Sequence, residues 1–197
     1  MPPRQLPEGS EESGGGSPRP SGRGRRASRK KSSRLRASLT RLLPWMGIAI
    51  LILALDQATK FQIQRSLQPG DRVVIVENWF DLTLVFNRGA AFSFLADASG
   101  WQRWFFIGIG ALATTYLIWL LARHSGQRLF AFGLAMILGG AIGNVIDRIL
   151  QGQVVDFLLA HWREVFFWPA FNVADSAITI GAGLLILDEI RRVSRTR

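Results

Sequence analysis

Residues 42–63 read LLPWMGIAILILALDQATKFQI, an apolar stretch whose last third carries Asp56 and Lys60. A helix of about 20 mostly apolar residues is long enough to cross the hydrocarbon core of a bilayer. Three further stretches of this kind follow, at 101–122, 129–145 and 173–190. A soluble domain of 197 residues has little reason to contain four such runs, so the sequence predicts a membrane protein with four transmembrane helices.

The residue types available for chemistry are few. The chain contains no cysteine, which excludes disulfides, a thiol nucleophile and a thiolate metal site. The two histidines, His124 and His161, fall in different predicted loops. Neither has a second ligand at metal-binding spacing, so we predict no metal site and no cofactor. Any catalysis therefore falls to carboxylates.

The net charge of +10 is concentrated at the N-terminus. Residues 1–41 hold eleven Lys or Arg against three Glu, and the remaining residues are nearly balanced. This segment is rich in Pro, Gly, Ser and Arg, a composition that predicts a disordered tail. Basic residues before a first span mark the cytoplasmic side of a membrane, while contact with anionic lipid or RNA is the alternative. We expect membrane lipids as partners, and no nucleic acid.

The distribution of Lys and Arg predicts the orientation. With the N-terminus inside, the inner segments near the membrane hold fifteen Lys or Arg, and the outer segments hold seven. Both termini are then cytoplasmic, with 1–41 as a tail, 42–190 as the membrane domain and 191–197 as a short basic end. The two long connections, 64–100 and 146–172, face outward.

Each outward connection has a recognisable pattern. In the first, the β-branched and aromatic runs 73–77 and 80–86 predict a hairpin lying on the membrane surface. In the second, the aromatic residues within 161–168 suit the lipid headgroup level and would anchor that connection at the interface.

Asp56 and Lys60 stand four residues apart and so share one helix face near the outer end of the first span. An unpaired carboxylate at that depth is costly. Pairing with Lys60 as structural support and a direct role near a site both remain open.

Further polar residues cluster at the outer ends of the predicted elements. Asn87 and Gly89 follow the predicted hairpin directly, in a motif that by itself usually marks a turn. Asn144 and Arg148 lie four apart at the outer boundary of the third span, after Gly139 and Gly143, a small-residue pair that permits close helix approach. Arg148 either holds a carboxylate or carbonyl there, or marks the helix end together with its neighbouring aspartate.

Two aspartates are the candidate catalytic groups. Asp156 lies between apolar residues, and this partial desolvation would raise its pKa, although a turn-capping role is the alternative. Asp175 follows Asn172 by three residues, which also suits a helix N-cap and first turn. Each aspartate taken alone can be explained by a structural role. Together, the topology brings two carboxylates, two asparagines and an arginine to one face of the membrane.

Five segments in this order resemble the motif set of the bacterial lipoprotein signal peptidase (signal peptidase II) family. The resemblance covers residues 42–190. It implies an all-α membrane protein with four transmembrane helices, a small extracytoplasmic β-sheet and a short interfacial helix. The segments are Asp56-x-x-x-Lys60, Asn87-x-Gly89-x-Ala91-Phe92, Gly143-Asn144-x-x-Asp147-Arg148, Val154-Val155-Asp156-Phe157 and Phe171-Asn172-x-Ala174-Asp175.

The resemblance also implies a function. The family consists of aspartic endopeptidases of the inner membrane that remove the signal peptide of diacylglyceryl-modified prolipoproteins just before the lipidated cysteine. Its two catalytic aspartates fall on Asp156 and Asp175. Residues expected to bind substrate or support the site are Asp56, Lys60, Asn87, Gly89, Asn144, Arg148 and Asn172. We expect a monomer whose active site lies at the extracytoplasmic face.

Two other function classes fit parts of the sequence. A small proton-coupled transporter would explain carboxylates in a membrane, but it would carry polar groups near the midplane and some inverted repeat, and neither pattern is evident. A basic-tailed membrane anchor for nucleic acid would depend on residues 1–41 and bind in a strongly salt-dependent way.

Overall fold

The computed structural model describes residues 22–89 and 100–195, and its side chains from residue 40 onward. The described chain divides into two units between Arg36 and Ala37, and all sites considered below lie in the second. The described helices are α1 (Gly22–Ser66), α2 (Trp101–His124), α3 (Arg128–Gln151) and α4 (Val173–Arg195). The described strands are β1 (Arg72–Val76), β2 (Phe80–Asn87), β3 (Val154–Trp162) and β4 (Phe166–Phe167).

The described chain is mostly helical, as predicted, and its long helices are apolar. Among the described residues, three helical segments have the length and composition to cross a membrane: Thr40–Ser66, Trp101–His124 and Arg128–Gln151. The 23-residue helix α4 is less apolar, since acidic and basic residues occupy its first turn and its last two turns. The prediction of a membrane protein is confirmed, with three candidate spans among the described residues.

Helix α1 begins earlier than the composition predicts. Its helical backbone starts at Gly22, within the segment 1–41 for which disorder was predicted. Arg, Lys, Ala and Leu are good helix formers. Residues that extend an existing helix also avoid the unfavourable step of nucleating a new one. Residues 1–21 lie outside the described part of the chain.

Small residues let α3 approach its neighbours closely. The predicted pair Gly139 and Gly143 faces α1: a Cβ built on Gly139 would lie 2.5 Å from the carbonyl oxygen of Ala49, and one on Gly143 would lie 2.5 Å from Oδ2 of Asp56. Side chains at these positions would force the two helices apart. The apolar core lies toward the other end of the helices, around Leu117, Leu121, Leu134 and Leu138.

The sheet is antiparallel, with strand order β1-β2-β3-β4. The predicted hairpin is confirmed, with Val74 opposite Asp81 and Val76 opposite Phe80. The second connection, predicted only as an aromatic anchor, also contributes strands, because β3 pairs with β2 and β4 pairs with β3. A short interfacial helix is absent from 22–89 and 100–195, and residues 90–99 lie outside the described chain.

Candidate active site

Five elements line one cleft of about 1370 Å³. They are strands β2, β3 and β4, the last turns of α3 and the first two turns of α4. The antiparallel pairing places Asn87 opposite Val154, so the end of β2 meets the start of β3. The predicted residues that line the cleft are Asn87, Asn144, Arg148, Asp156 and Asp175.

Asp156 is a strand residue, not a loop cap. It lies on β3 opposite Val85 and is 3% exposed. Its Oδ2 accepts a hydrogen bond from Nδ2 of Asn87 at 3.1 Å, and its Oδ1 accepts one from Nδ2 of Asn172 at 2.8 Å. Burial and then the negative charge of Asp175 raise the pKa of Asp156 to about 7, against the opposing effect of the two amide donors.

Asp175 lies in the first turn of α4. Its Oδ1 accepts a hydrogen bond from Nδ2 of Asn144 at 2.8 Å. Its backbone N–H donates to Oδ1 of Asn172 at 2.9 Å, so the predicted N-cap role of Asn172 is confirmed. The same Asn172 holds Asp156 through its amide nitrogen. One fully buried asparagine therefore connects both candidate acids.

Asp56 and Lys60 form a buried ion pair, with Nζ of Lys60 2.8 Å from Oδ2 of Asp56. Nζ also lies 2.8 Å from Oδ2 of Asp147 and 3.1 Å from Oδ1 of Asn144. Gln57 completes this network by donating to Oδ1 of Asp147 at 2.9 Å. Gln57 was not predicted from the sequence, and Asp147 was predicted only as a helix-end residue and a member of the third resemblance segment. Of these five residues, Asn144 alone lines the cleft in the described structure.

The two buried carboxylates reach the backbone next to the candidate acids. Oδ1 of Asp56 accepts the N–H of Ala174 at 2.9 Å, one residue before Asp175. Oδ2 of Asp147 accepts the N–H of Val155 at 3.2 Å, one residue before Asp156. The ion network thus fixes the two segments that present Asp156 and Asp175 to the cleft.

Arg148 connects α3 to the end of β2. Its guanidinium donates to the carbonyl oxygen of Gly89 at 2.9 Å and lies 5.0 Å from the ring centroid of Phe106. The N–H of Gly89 in turn donates to Oδ1 of Asn87 at 2.9 Å, which orients the amide that holds Asp156. Arg148 therefore shapes the rim of the cleft as well as lining it.

The cleft offers carboxylates, amides and a guanidinium. Such a set suits proton transfer to a water molecule and hydrogen bonding to a peptide carbonyl. Within the described residues, one group of three side chains is close enough to hold a metal ion, and it lies on the sheet apart from the two candidate acids. Its members are Asp81, His161 and Glu164.

Comparisons with known proteins agree on one family. A family model described as signal peptidase (SPase) II matches residues 48–191. A lipoprotein signal peptidase of Cupriavidus necator is 54% identical over 170 residues, which is 86% of this chain and 96% of the relative. A lipoprotein signal peptidase of Ralstonia nicotianae is 58% identical over 152 residues, covering 77% of this chain and 87% of the relative.

A solved structure is similar as well. A bacterial membrane enzyme determined by the in meso method at 2.3 Å resolution superposes with a TM-score of 0.70 at 29% sequence identity. The match covers 78% of this chain and 92% of that one. The helices and the sheet described above thus have a counterpart in an experimentally determined membrane enzyme.

Proposed function

The chain belongs to the signal peptidase II family, and we propose that Asp156 and Asp175 are the catalytic pair of its reaction. Family membership makes it an integral inner-membrane peptidase that cleaves the signal peptide from prolipoproteins. The observation that carries the catalytic assignment is the bridge formed by Asn172, which binds Asp156 through its amide nitrogen and Asp175 through its amide oxygen.

The two acids share one proton in the resting enzyme. Adjacent carboxylates that are partly removed from water cannot both ionise cheaply. The pKa of Asp156, raised to about 7, supports a proton held by the pair near neutral pH. Because the pair titrates as a unit, the proton belongs to both residues.

The ionised carboxylate removes a proton from a water molecule as the water attacks the scissile carbonyl carbon. The protonated carboxyl donates a hydrogen bond to the carbonyl oxygen, which becomes negative as the tetrahedral intermediate forms. When the C–N bond breaks, a carboxyl proton passes to the leaving amine. Asn87 and Asn144 hold the two carboxylates in place during these steps, since each donates to one of them.

The other predicted residues support this site. Arg148 lines the cleft and is placed to contact the substrate backbone, and the carbonyl oxygen of Gly89 holds its guanidinium in place. Asp56 and Lys60 act from behind the cleft through the buried ion network. Their role is support of the backbone around the acids.

The substrate is a diacylglyceryl-modified prolipoprotein, cut on the N-terminal side of its lipidated cysteine. Acyl chains and a signal helix hold such a substrate in the bilayer, so the bond to be cut arrives at the membrane boundary. The depth of the cleft, at the ends of apolar helices and beside the sheet, suits that position. The cleft also carries apolar wall residues, among them Phe86 and Ile178.

The topology has four spans, with α4 as the fourth. The excess of Lys and Arg in the segments flanking one set of helix ends supports cytoplasmic termini and a cleft at the extracytoplasmic face. In this arrangement 1–41 is a cytoplasmic tail, 42–190 is the peptidase domain, 191–197 is a basic cytoplasmic end and the enzyme acts as a monomer among membrane lipids.

The test is cleavage by purified protein. Wild type, Asp156→Asn and Asp175→Asn are incubated with a diacylglyceryl-modified prolipoprotein, and the cut is mapped by mass spectrometry. Both variants should insert normally and lose cleavage, whereas Asp71→Asn, which changes an exposed outer aspartate, should retain it. Processing at the wild-type rate by either dyad variant would refute the assignment.

A further inference from the structure

The cleft contains a second arginine, to which the peptidase mechanism assigns no role. Arg88 lines the cleft together with Arg148. It follows β2 directly and is exposed. Its position was not predicted as part of the site, because Arg88 occupies the unspecified place between Asn87 and Gly89 in the second resemblance segment.

The two neighbours of Arg88 fix its backbone close to the proposed catalytic pair. Asn87 donates to Oδ2 of Asp156 at 3.1 Å. Its Oδ1 accepts the N–H of Gly89 at 2.9 Å, which closes a turn around Arg88. The carbonyl oxygen of Gly89 in turn accepts a hydrogen bond from Arg148 at 2.9 Å. Adjacent Cα atoms are about 3.8 Å apart, so Arg88 begins one residue away from the group that holds Asp156.

The guanidinium of Arg88 is only loosely held. Its Nε donates to Oε1 of Gln153 at 3.4 Å, a long bond to a neutral group. Among residues 40–89 and 100–195, no carboxylate forms an ion pair with Arg88, and its two terminal nitrogens make no hydrogen bond. Arg148, by contrast, donates to two carbonyl oxygens and lies over the ring of Phe106. Arg88 is therefore able to bind a further anion.

The cleft extends from the sheet to the apolar part of α4. Ile178 and Ile180 line it on α4, and Ile180 lies about 7.5 Å beyond Asp175 along the helix, at about 1.5 Å per residue. Arg88 lines it where β2 ends. The signal helix and the acyl chains of the substrate require apolar surroundings, whereas the mature chain must pass into water. We expect the mature chain to leave the cleft past Arg88.

Distance limits which substrate residues Arg88 can contact. An extended chain advances about 3.3 Å per residue, so the three residues that follow the lipidated cysteine lie within about 10 Å of that cysteine. A side chain from the turn that holds Asp156 is placed to meet residues in this range.

We propose that Arg88 is a specificity-determining residue that favours an acidic side chain among the first three residues after the lipidated cysteine. The inference rests on the proposed function, since it takes Asp156 and Asp175 as the place of cleavage. A guanidinium and a carboxylate form charge-assisted hydrogen bonds, often two in parallel. Because Arg88 is exposed, water and salt screen the pair, and the preference is about two- to fivefold.

The test is competition between substrates in one reaction with the purified full-length protein. Diacylglyceryl-modified prolipoproteins that differ only in carrying Asp, Asn or Lys at one of the three positions are mixed, and the product ratio gives the ratio of their kcat/KM values. At the position with the largest effect, wild type should cleave the Asp substrate about two- to fivefold faster than the Asn substrate. The Lys substrate should be the slowest, and high salt should reduce the differences.

Arg88→Glu should reverse this order, so that the Lys substrate is cleaved fastest. Arg65→Glu changes an exposed arginine of α1 that lies outside the cleft, and it should keep the order of the wild type. Each ratio is measured within one sample, so a general loss of active enzyme does not alter it.

Equal cleavage of the three substrates by wild type at every position, or an unchanged order in Arg88→Glu, would overturn the proposal. The reactions are run in neutral detergent with and without phosphatidylglycerol. An effect of Arg88→Glu that is equal for all substrates and requires this anionic lipid would assign Arg88 to a lipid headgroup instead. Absence of any cleavage by wild type would contradict the proposed function and this inference with it, whereas cleavage without preference would contradict this inference alone.

Discussion

Nζ of Lys60 lies 2.8 Å from Oδ2 of Asp147, and both side chains are almost completely buried. The same ammonium binds Asp56 at 2.8 Å. One lysine therefore binds both of the carboxylates that hold the backbone beside the proposed catalytic pair.

Lys60→Met should destabilise the protein strongly. It would leave Asp56 and Asp147 buried without a counter-charge, and removal of one partner of a buried ion pair costs about 3–5 kcal/mol. Thermal unfolding in detergent measures the effect as a lower midpoint. Arg65→Met removes an exposed charge from the same helix and should leave the midpoint unchanged. Equal midpoints for the two variants would mean that the network contributes little to stability.

Asp147→Asn should impair the chemical step more than substrate binding. Asp147 accepts the N–H of Val155, so weakening this contact displaces Asp156 while the residues lining the cleft stay the same. A shift of about 1 Å in a catalytic group can reduce the rate about 100-fold. Steady-state kinetics should show kcat lowered by about 10- to 100-fold with KM changed little. A raised KM at normal kcat would instead assign Asp147 to substrate binding.

Activity should fall as the pH rises through about 7. The proposed mechanism requires one proton on the pair, and the pKa of Asp156, raised to about 7, marks the loss of that proton. Above this pH the rate should fall about tenfold per pH unit, because the doubly ionised pair cannot donate to the carbonyl oxygen. The measurement is kcat/KM in detergent between pH 5 and 9, roughly the range in which catalytic acids and bases titrate.

Asn87→Ala should move the alkaline limb of the pH profile, which is the fall in kcat/KM above a pH of about 7, to higher pH. The Asn87 amide donates to Asp156 and stabilises its charged form, so its removal raises the pKa of Asp156 further. The overall rate should also fall. A shift of the limb along the pH axis distinguishes this electrostatic effect from a general loss of active enzyme, which lowers the rate equally at every pH. Asp71→Asn should keep the limb of the wild type, and an Asn87→Ala limb shifted to lower pH would contradict the assigned hydrogen bond.

Local patterns predicted some parts of the molecule and could not predict others. The spacing of Asp56 and Lys60 predicted their pairing, because residues four apart share a helix face. Strand β3 was missed because Val154–Trp162 is an almost continuous apolar run without the alternation of a half-buried strand. The contact between Asp147 and the N–H of Val155 was also missed, since it joins a helix to a strand across a turn.

The candidate site was likewise predicted only in part. Motif order brought Asn87, Asn144, Asp156 and Asp175 together in the prediction, and all four line one cleft. The bridging geometry of Asn172 was not predictable, because its N-cap position explains only the bond to α4 and says nothing about β3. Tertiary contacts between elements, rather than spacing along one element, decide these details.

Gly143→Ala should reduce both stability and cleavage. A Cβ at this position would lie 2.5 Å from Oδ2 of Asp56, too close for any side chain, so α1 or the carboxylate must move. Overpacking of this kind costs about 1–3 kcal/mol. Because Asp56 also holds the N–H of Ala174, the displacement should reach Asp175 and lower kcat. Gly108→Ala is the matched control, since its Cβ would meet nothing within 4 Å. Unfolding midpoints and cleavage rates are measured for the two variants in parallel. If the two variants do not differ, the α1–α3 contact accommodates the added methyl group without loss of stability or activity.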